Sequence, residues 1–196
     1  LTEAPGKKHL WNFIEQYLRF IKEAERLKAV TRTAWTHDGR AKARLNIRGG
    51  WPCSPGSPLD AFPAEQEKML MMSLIHDMGE LYGGDISAAL CPDPQEKTDE
   101  ESRAVRKAFS LLPEREAESL LALWREYNAN ATPEARLVKA LDKAETIIQH
   151  SQGRNPDGFD YGFNLEYGKE YFEQDERLEA LRSLIDAETR TRMEIK

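Results

Sequence analysis

Cysteine is nearly absent: the 196-residue chain has two, Cys53 and Cys91, neither at metal-ligand spacing. That excludes a disulfide framework and makes a reducing, cytoplasmic setting the default. No apolar run approaches the roughly 20 residues needed to cross a bilayer, and no signal-peptide pattern opens the chain, so no membrane partner is expected. The start at Leu1 rather than Met points to a trimmed leader or tag. Positive charge is also short: 28 Lys and Arg stand against 34 Asp and Glu, a net charge of -6. With a pI near 5.4, this argues against a nucleic-acid-binding surface, a local basic patch aside. Histidine is scarce, with only His9, His37, His76 and His150. Neither β-type alternation nor an internal repeat stands out.

What is present suits a soluble globular protein: 40% hydrophobic and 32% charged residues, enough chain for one domain spanning 1–196. Helical periodicity dominates. His9 to about Val30 places Leu10, Phe13, Ile14, Tyr17, Leu18, Ile21 and Leu27 on one stripe. A second helix spans 64 to 82 and stops at Gly83-Gly84. A third runs from roughly Asp99 to Leu112, and a fourth from about Pro113 to Asn128. A fifth starts near Thr132, with Pro133 at its first position, and ends at Gly153. An aromatic loop, "RNPDGFDYGFNLEYG", then leads to a polar closing helix from about Lys169. Its ring cluster (Phe159, Tyr161, Phe163, Tyr167, Tyr171, Phe172) reads as core before pocket or dimer contact. The chain is expected to be all-α. The exception is residues 40–63, where three Gly and three Pro crowd in up to and including Pro58, beside Trp51 and Cys53. Loops of this length are uncommon inside a domain.

"KMLMMSLIHDMGELYGGDIS", residues 68–87, sets His76 beside Asp77 in an apolar run, where an unpaired charge is costly. On a helix, neighbours about 100° apart can both turn to one edge, and Glu80 follows one turn along. An imidazole and carboxylates so placed suit a divalent metal with mixed N/O ligands, completed from another helix. Asp142, in "ARLVKALDKAETII", is the best distant ligand, and Asp85 can enter from the helix end. The plainer alternatives are a hydrogen-bonded core pair for His76 and Asp77, a salt-bridged side chain for Asp142, and an N-cap for Asp85. Lys139 and Lys143 read as a solvated face.

"SLIHDMGELYGGDI" and "TPEARLVKALDK" together resemble the HD-domain metal-dependent phosphohydrolases, most closely the 5'-deoxynucleotidase branch. "LKAVTRTAW" and "NPDGFDYGFNLEYG" extend the likeness over nearly the whole chain. The resemblance implies an HD-domain helical bundle with His76, Asp77 and Asp142 as metal ligands. It implies that Glu80 positions or activates the attacking water, and that Asp85 holds the sugar or assists proton transfer. Arg32 and Trp35 would contact the phosphate and nucleotide. It further implies a transition metal such as cobalt or manganese, a nucleotide substrate and a homodimer.

One part of the family pattern is missing. A further ligand histidine, within Glu-Ser-x-Ala-Glu-His-Ser, should stand on a helix shortly after Arg32 and Trp35, where the Gly/Pro-rich segment lies instead. Reading codons 41 to 52 from their third base permits Glu-Ser-x-x-Glu-His-Ser-Trp-Arg-Leu-Ala. The overlap of Asn46 with Ile47 allows only His or Tyr, and that of Trp51 with Pro52 forces Ala. This suggests a local frameshift, entered near Arg40 and restored near Leu59 to Pro63, in the gene or the recorded sequence. The rival is a genuine insertion or divergent loop. A regular helix over 42–58 despite its prolines would make the written residues suspect, since an interior Pro costs about 3 kcal/mol. An irregular loop would favour them. As written, the site is one imidazole short, and His37, in a turn-like "THDG", is a poor substitute.

The expected activity is hydrolysis of nucleoside 5'-monophosphates, deoxynucleotides first, to nucleoside and phosphate. The alternatives are an HD hydrolase of another phosphoester, cyclic or hyperphosphorylated, and an HD scaffold with weakened or no catalysis.

Overall fold

The structure is a computed structural model that describes residues 5–35, 42–44, 65–86, 90, 92–173 and 175–194. Its architecture is helical, with one two-stranded ribbon among the described residues. In chain order come α1 (Pro5–Ala24), a 3-10 turn (Glu25–Ala29), β1 (Thr31–Trp35) and β2 (Lys42–Arg44). Next are α2 (Gln66–Ile75), a second 3-10 turn (His76–Gly79) and α3 (Glu80–Gly83). They are followed by α4 (Pro94–Phe109), α5 (Glu114–Ala129), α6 (Pro133–Gln152), α7 (Gly162–Glu166), a 3-10 turn (Lys169–Tyr171) and α8 (Glu176–Glu194).

Local chemistry sets these boundaries. Asp93 caps α4 by accepting from the Gln95 and Glu96 N–H groups, both at 2.9 Å, with Pro94 in the first turn. α4 therefore begins earlier than periodicity alone suggests. Thr132 caps α6 through the Ala135 N–H at 3.3 Å, and Pro133 follows it as expected. α5 ends where Asn130 turns left-handed at φ 52°, which Asn tolerates better than most residues. The closing helix starts at Glu176 rather than near Lys169, because a 3-10 turn and Asp175 precede it.

Two apolar clusters form the core, and the HD segment joins them. Met69 and Met72 pack with Leu137, Leu141, Ile147 and Phe172 in one cluster. Ile75, Met78 and Leu81 pack with Val105, Phe109 and Trp124 in the other. Burial of each large side chain is worth about 1.5–3 kcal/mol. The stripe expected from His9 to about Val30 is divided: its Tyr17 and Leu27 meet the second cluster, joined there by Phe20 and Ala24, which the stripe did not include, while Ile14, Leu18 and Ile21 are exposed. From the aromatic loop, Tyr161 and Phe172 are buried core, as that reading expected.

Two departures concern the site. The helix expected over 64–82 is three pieces, with a 3-10 turn at the His-Asp pair. At residues 42–44 the chain is an extended strand paired antiparallel with β1, not a helix. The rest of the Gly/Pro-rich segment, the frameshift question over 45–58 included, lies outside the described residues, as does His37.

Candidate metal centre

His76 opens the tight turn that follows α2. Its Nδ1 lies 2.9 Å from the Ser73 carbonyl oxygen, so Nδ1 carries the hydrogen and donates it. Nε2 is left facing two carboxylates, Asp77 Oδ1 at 3.1 Å and Asp142 Oδ1 at 3.5 Å. A lone pair aimed at two anionic oxygens is repulsive unless a proton or another cation lies between them. Burial pushes the His76 imidazole down, but Asp77 and Asp142 outweigh it and lift it to about 9. The Trp124 indole N–H donates to the His76 carbonyl at 3.3 Å, and the Tyr127 ring packs against the imidazole with centroids 5.3 Å apart. Both contacts come from one face of α5, which thus braces the turn.

Asp142 comes from the middle of α6, and its other oxygen accepts from Lys143 Nζ at 3.1 Å. Glu80 begins α3, one turn beyond the pair. Burial, then Asp77 and Asp85, push its carboxyl up to about 9 against the opposing pull of Lys97. Its Oε2 is buried and has no hydrogen-bond partner among the described residues. Asp85 follows Gly84, whose φ of 81° is a conformation glycine adopts freely. Arg32 and Trp35 lie on β1, which runs beside α6; their side chains lie outside the described residues.

The sequence reading missed Glu101 of α4 and misread two lysines. A Cβ on Gly79 would stand 2.8 Å from Glu101 Cβ, so glycine there lets α4 close on the His-Asp turn. Burial pushes the Glu101 carboxyl up, with Lys97 opposing. Lys139 and Lys143 are half-buried beside the site rather than on a solvated face. Lys143 pairs with Asp142, and Lys139 lies over the Tyr127 ring. A cavity of about 350 Å³ opens beside α3, lined by residues including Gly79, Tyr82, Gly84, Ile86, Lys97 and Glu101.

The donor chemistry fits a divalent metal: a histidine in the Nδ1–H tautomer, with Nε2 directed at two carboxylates, is how metal-binding imidazoles are held. The arrangement is not a finished cage. Among the described residues, no three His, Cys, Asp or Glu side chains stand ready as a group to hold an ion. They meet pairwise around His76 instead.

A helical bundle that brings a consecutive His-Asp pair against a distant Asp defines a class of His/Asp-centred helical domains. The HD domain family model matches residues 56–182, and the chain belongs to that family. 5'-Deoxynucleotidase HDDC2 of Mus musculus is 31% identical over 136 residues, covering 69% of this chain and 68% of the relative. The Homo sapiens protein of the same name is 30% identical over 159 residues, covering 73% and 74%. 5'-Deoxynucleotidase hdd1 of Schizosaccharomyces pombe is 33% identical over 135 residues, covering 66% and 68%. A crystal structure from Magnetospirillum magnetotacticum, described as a predicted metal-dependent phosphohydrolase, shares the fold. Its TM-score is 0.71 at 22% identity, covering 92% of this chain and 94% of that one.

Proposed function

We propose that this chain is a metal-dependent phosphomonoesterase that cleaves nucleoside 5'-monophosphates, deoxynucleotides first, to nucleoside and phosphate. The observation that carries the reading is His76, its Nδ1 tied to Ser73 and its Nε2 turned to Asp77 and Asp142. Membership of the HD family and the names of the curated relatives support it.

His76, Asp77 and Asp142 would hold a divalent transition metal of the cobalt or manganese kind. Bound there, the ion supplies Lewis-acid polarisation of the phosphoryl group and acidifies water. Glu80 orients the attacking water and, with a cation beside Asp77 drawing its raised carboxyl back to the ionised form, takes its proton. Water oxygen joins phosphorus as the P–O5' bond breaks, and a proton passes to the departing 5'-hydroxyl. Asp85 holds the sugar or assists that transfer, while Arg32 and Trp35 grip the phosphate and nucleotide, the arginine by paired charge-assisted hydrogen bonds. The working unit is a cytoplasmic homodimer. No helix among the described residues is long and apolar enough to cross a membrane.

The test is phosphate release from a panel of nucleotides with manganese or cobalt added. Deoxynucleoside 5'-monophosphates are expected to be cleaved best, and exclusive cleavage of a cyclic or hyperphosphorylated ester would overturn the reading. A second reading, an HD scaffold with weakened catalysis, is motivated by the family histidine missing from the written sequence, whose histidines are His9, His37, His76 and His150. A folded protein of verified sequence that retains no metal on dialysis would favour the scaffold.

A further inference from the structure

Lys139 sits on α6 one turn before Asp142, half-buried. Three features describe its ammonium, and the last sets it apart from Lys143, which also lies over a ring, that of Tyr167 at 5.2 Å. Its Nζ makes one long hydrogen bond, 3.4 Å to the Asn128 carbonyl oxygen. Its charge otherwise rests on aromatic faces, 4.7 Å from the Tyr127 ring centroid and 5.8 Å from that of Tyr171. Among the described residues it has no carboxylate within ion-pairing distance, whereas Lys143 holds Asp142 at 3.1 Å.

Burying part of an ammonium without a counter-ion is unfavourable, and aromatic faces return only a fraction of what a carboxylate would. A methionine of similar length would fill the same space at lower cost. Position suggests what the charge serves. The Tyr127 ring beneath Lys139 is the ring that packs on His76. At three residues' separation on one helix, Lys139 and Asp142 share a face. A dianion held beside His76, Asp77 and Asp142 would therefore lie near a cation whose charge is not already committed. Burial, the largest influence, pushes the Lys139 ammonium down to about 8, with Lys143 adding to it against Asp142 and Glu101. That is the expected signature of a cation short of negative company.

We propose that Lys139 is a phosphate-binding residue of this site, its ammonium held open for the phosphoryl group of substrate or product. The assignment rests on the phosphohydrolase reading and adds to it a residue acting as a point charge, beside the arginine grip. The competing explanation is structural: Lys139 straps Tyr127 onto His76 and meets no ligand.

Equilibrium dialysis of labelled inorganic phosphate, with manganese present, tests this on wild type, Lys139→Met and Lys139→Arg. Wild type is expected to bind phosphate, Lys139→Met at least about tenfold more weakly, and Lys139→Arg within about threefold of wild type. In nucleotide turnover, Lys139→Met should raise KM more than it lowers kcat. Amine-specific acylation of the wild-type protein, read by peptide mass, needs no variant to fold. Phosphate should protect Lys139 while leaving exposed Lys22 unchanged. Absence of phosphate binding by wild type, equal binding by Lys139→Met, or no protection of Lys139 would overturn the assignment. A protein that binds phosphate through Lys139 yet releases none from any 5'-monophosphate would refute the hydrolase reading and leave this one standing.

Discussion

His76 Nε2 has two carboxylate oxygens within 3.5 Å, while Glu80 Oε2, one turn away, has no hydrogen-bond partner among the described residues. The chemistry proposed here depends on that contrast between an imidazole nitrogen facing two carboxylates and a buried carboxyl oxygen with no donor among the described residues. Glu80→Gln keeps the shape of the side chain and removes its basicity, so turnover should fall by a factor of about 100 to 10,000 with the melting temperature maintained. Unchanged turnover would remove Glu80 from the mechanism. Asp142→Asn should reduce the manganese retained after dialysis, measured by elemental analysis, since an amide is a poorer ligand than a carboxylate. His76, Asp77, Glu80, Asp85 and Asp142 could be picked out of the sequence because motif and spacing mark them. Ser73 was also within reach, since a carbonyl three residues before a helical histidine is a natural Nδ1 partner. Lys139 and Lys143 were not, because their burial is set by Tyr127, Tyr167 and Tyr171 on other segments. Glu101 carried no local signal at all.

Among the elements, the break between α2 and α3 matters most. α4 approaches closely at Gly79, and a Cβ there would meet Glu101 Cβ at 2.8 Å, inside contact distance. Gly79→Ala should therefore cost about 1–3 kcal/mol in urea unfolding, the usual penalty for overpacking. No loss of stability would mean that α4 can yield at this point. α5 and α6 were legible almost to the residue from Pro113, Thr132, Pro133 and Gly153, which act through local backbone chemistry. The ribbon of β1 and β2 was not, since strand pairing joins residues apart in sequence and leaves little periodic trace over three to five positions. The frameshift question is settled by a peptide-mass map across residues 40–63. A fragment containing Glu-His-Ser-Trp would complete the family's ligand set, and "AKARLNIRGGWPCSPGSP" would confirm the chain one histidine short.

Across the whole molecule, an ionic knot ties α2, α5 and α6 together. Lys68 reaches Glu126 at 2.6 Å and Glu134 at 3.4 Å; Glu134 accepts from the Glu65 N–H at 3.0 Å, and Thr132 donates to Glu126 at 2.6 Å. Burial pushes the Glu134 carboxyl up, but the Glu65 N–H, its own N–H and Lys68 outweigh it, and the net shift is downward. A carboxyl depressed on folding contributes stability above its unfolded pKa of about 4.3, and loses it as pH falls through the folded value. Urea unfolding from roughly pH 6 down to pH 3 should show this acid-side loss, and Glu134→Gln should shallow it. A slope unchanged in the variant would mean the knot is not coupled to folding. At the other end, buried Arg182 donates to Asp186 and to the carbonyl oxygens of Asn164, Leu165 and Tyr167, all at 2.8 Å, fixing α7 and its flank to α8. Arg182→Ala should cost about 3–5 kcal/mol in the same measurement.

The indole that steadies His76 also gives the site an optical reporter. Trp124 is 3% exposed and its N–H is spent on the His76 carbonyl, so its emission should be blue-shifted from that of a tryptophan in water. Any ion or anion that settles against His76 alters the field at that ring. Subtracting the spectrum of Trp124→Phe removes the light of Trp11, Trp35 and Trp51. What remains follows occupancy in real time, with no label attached and no turnover required.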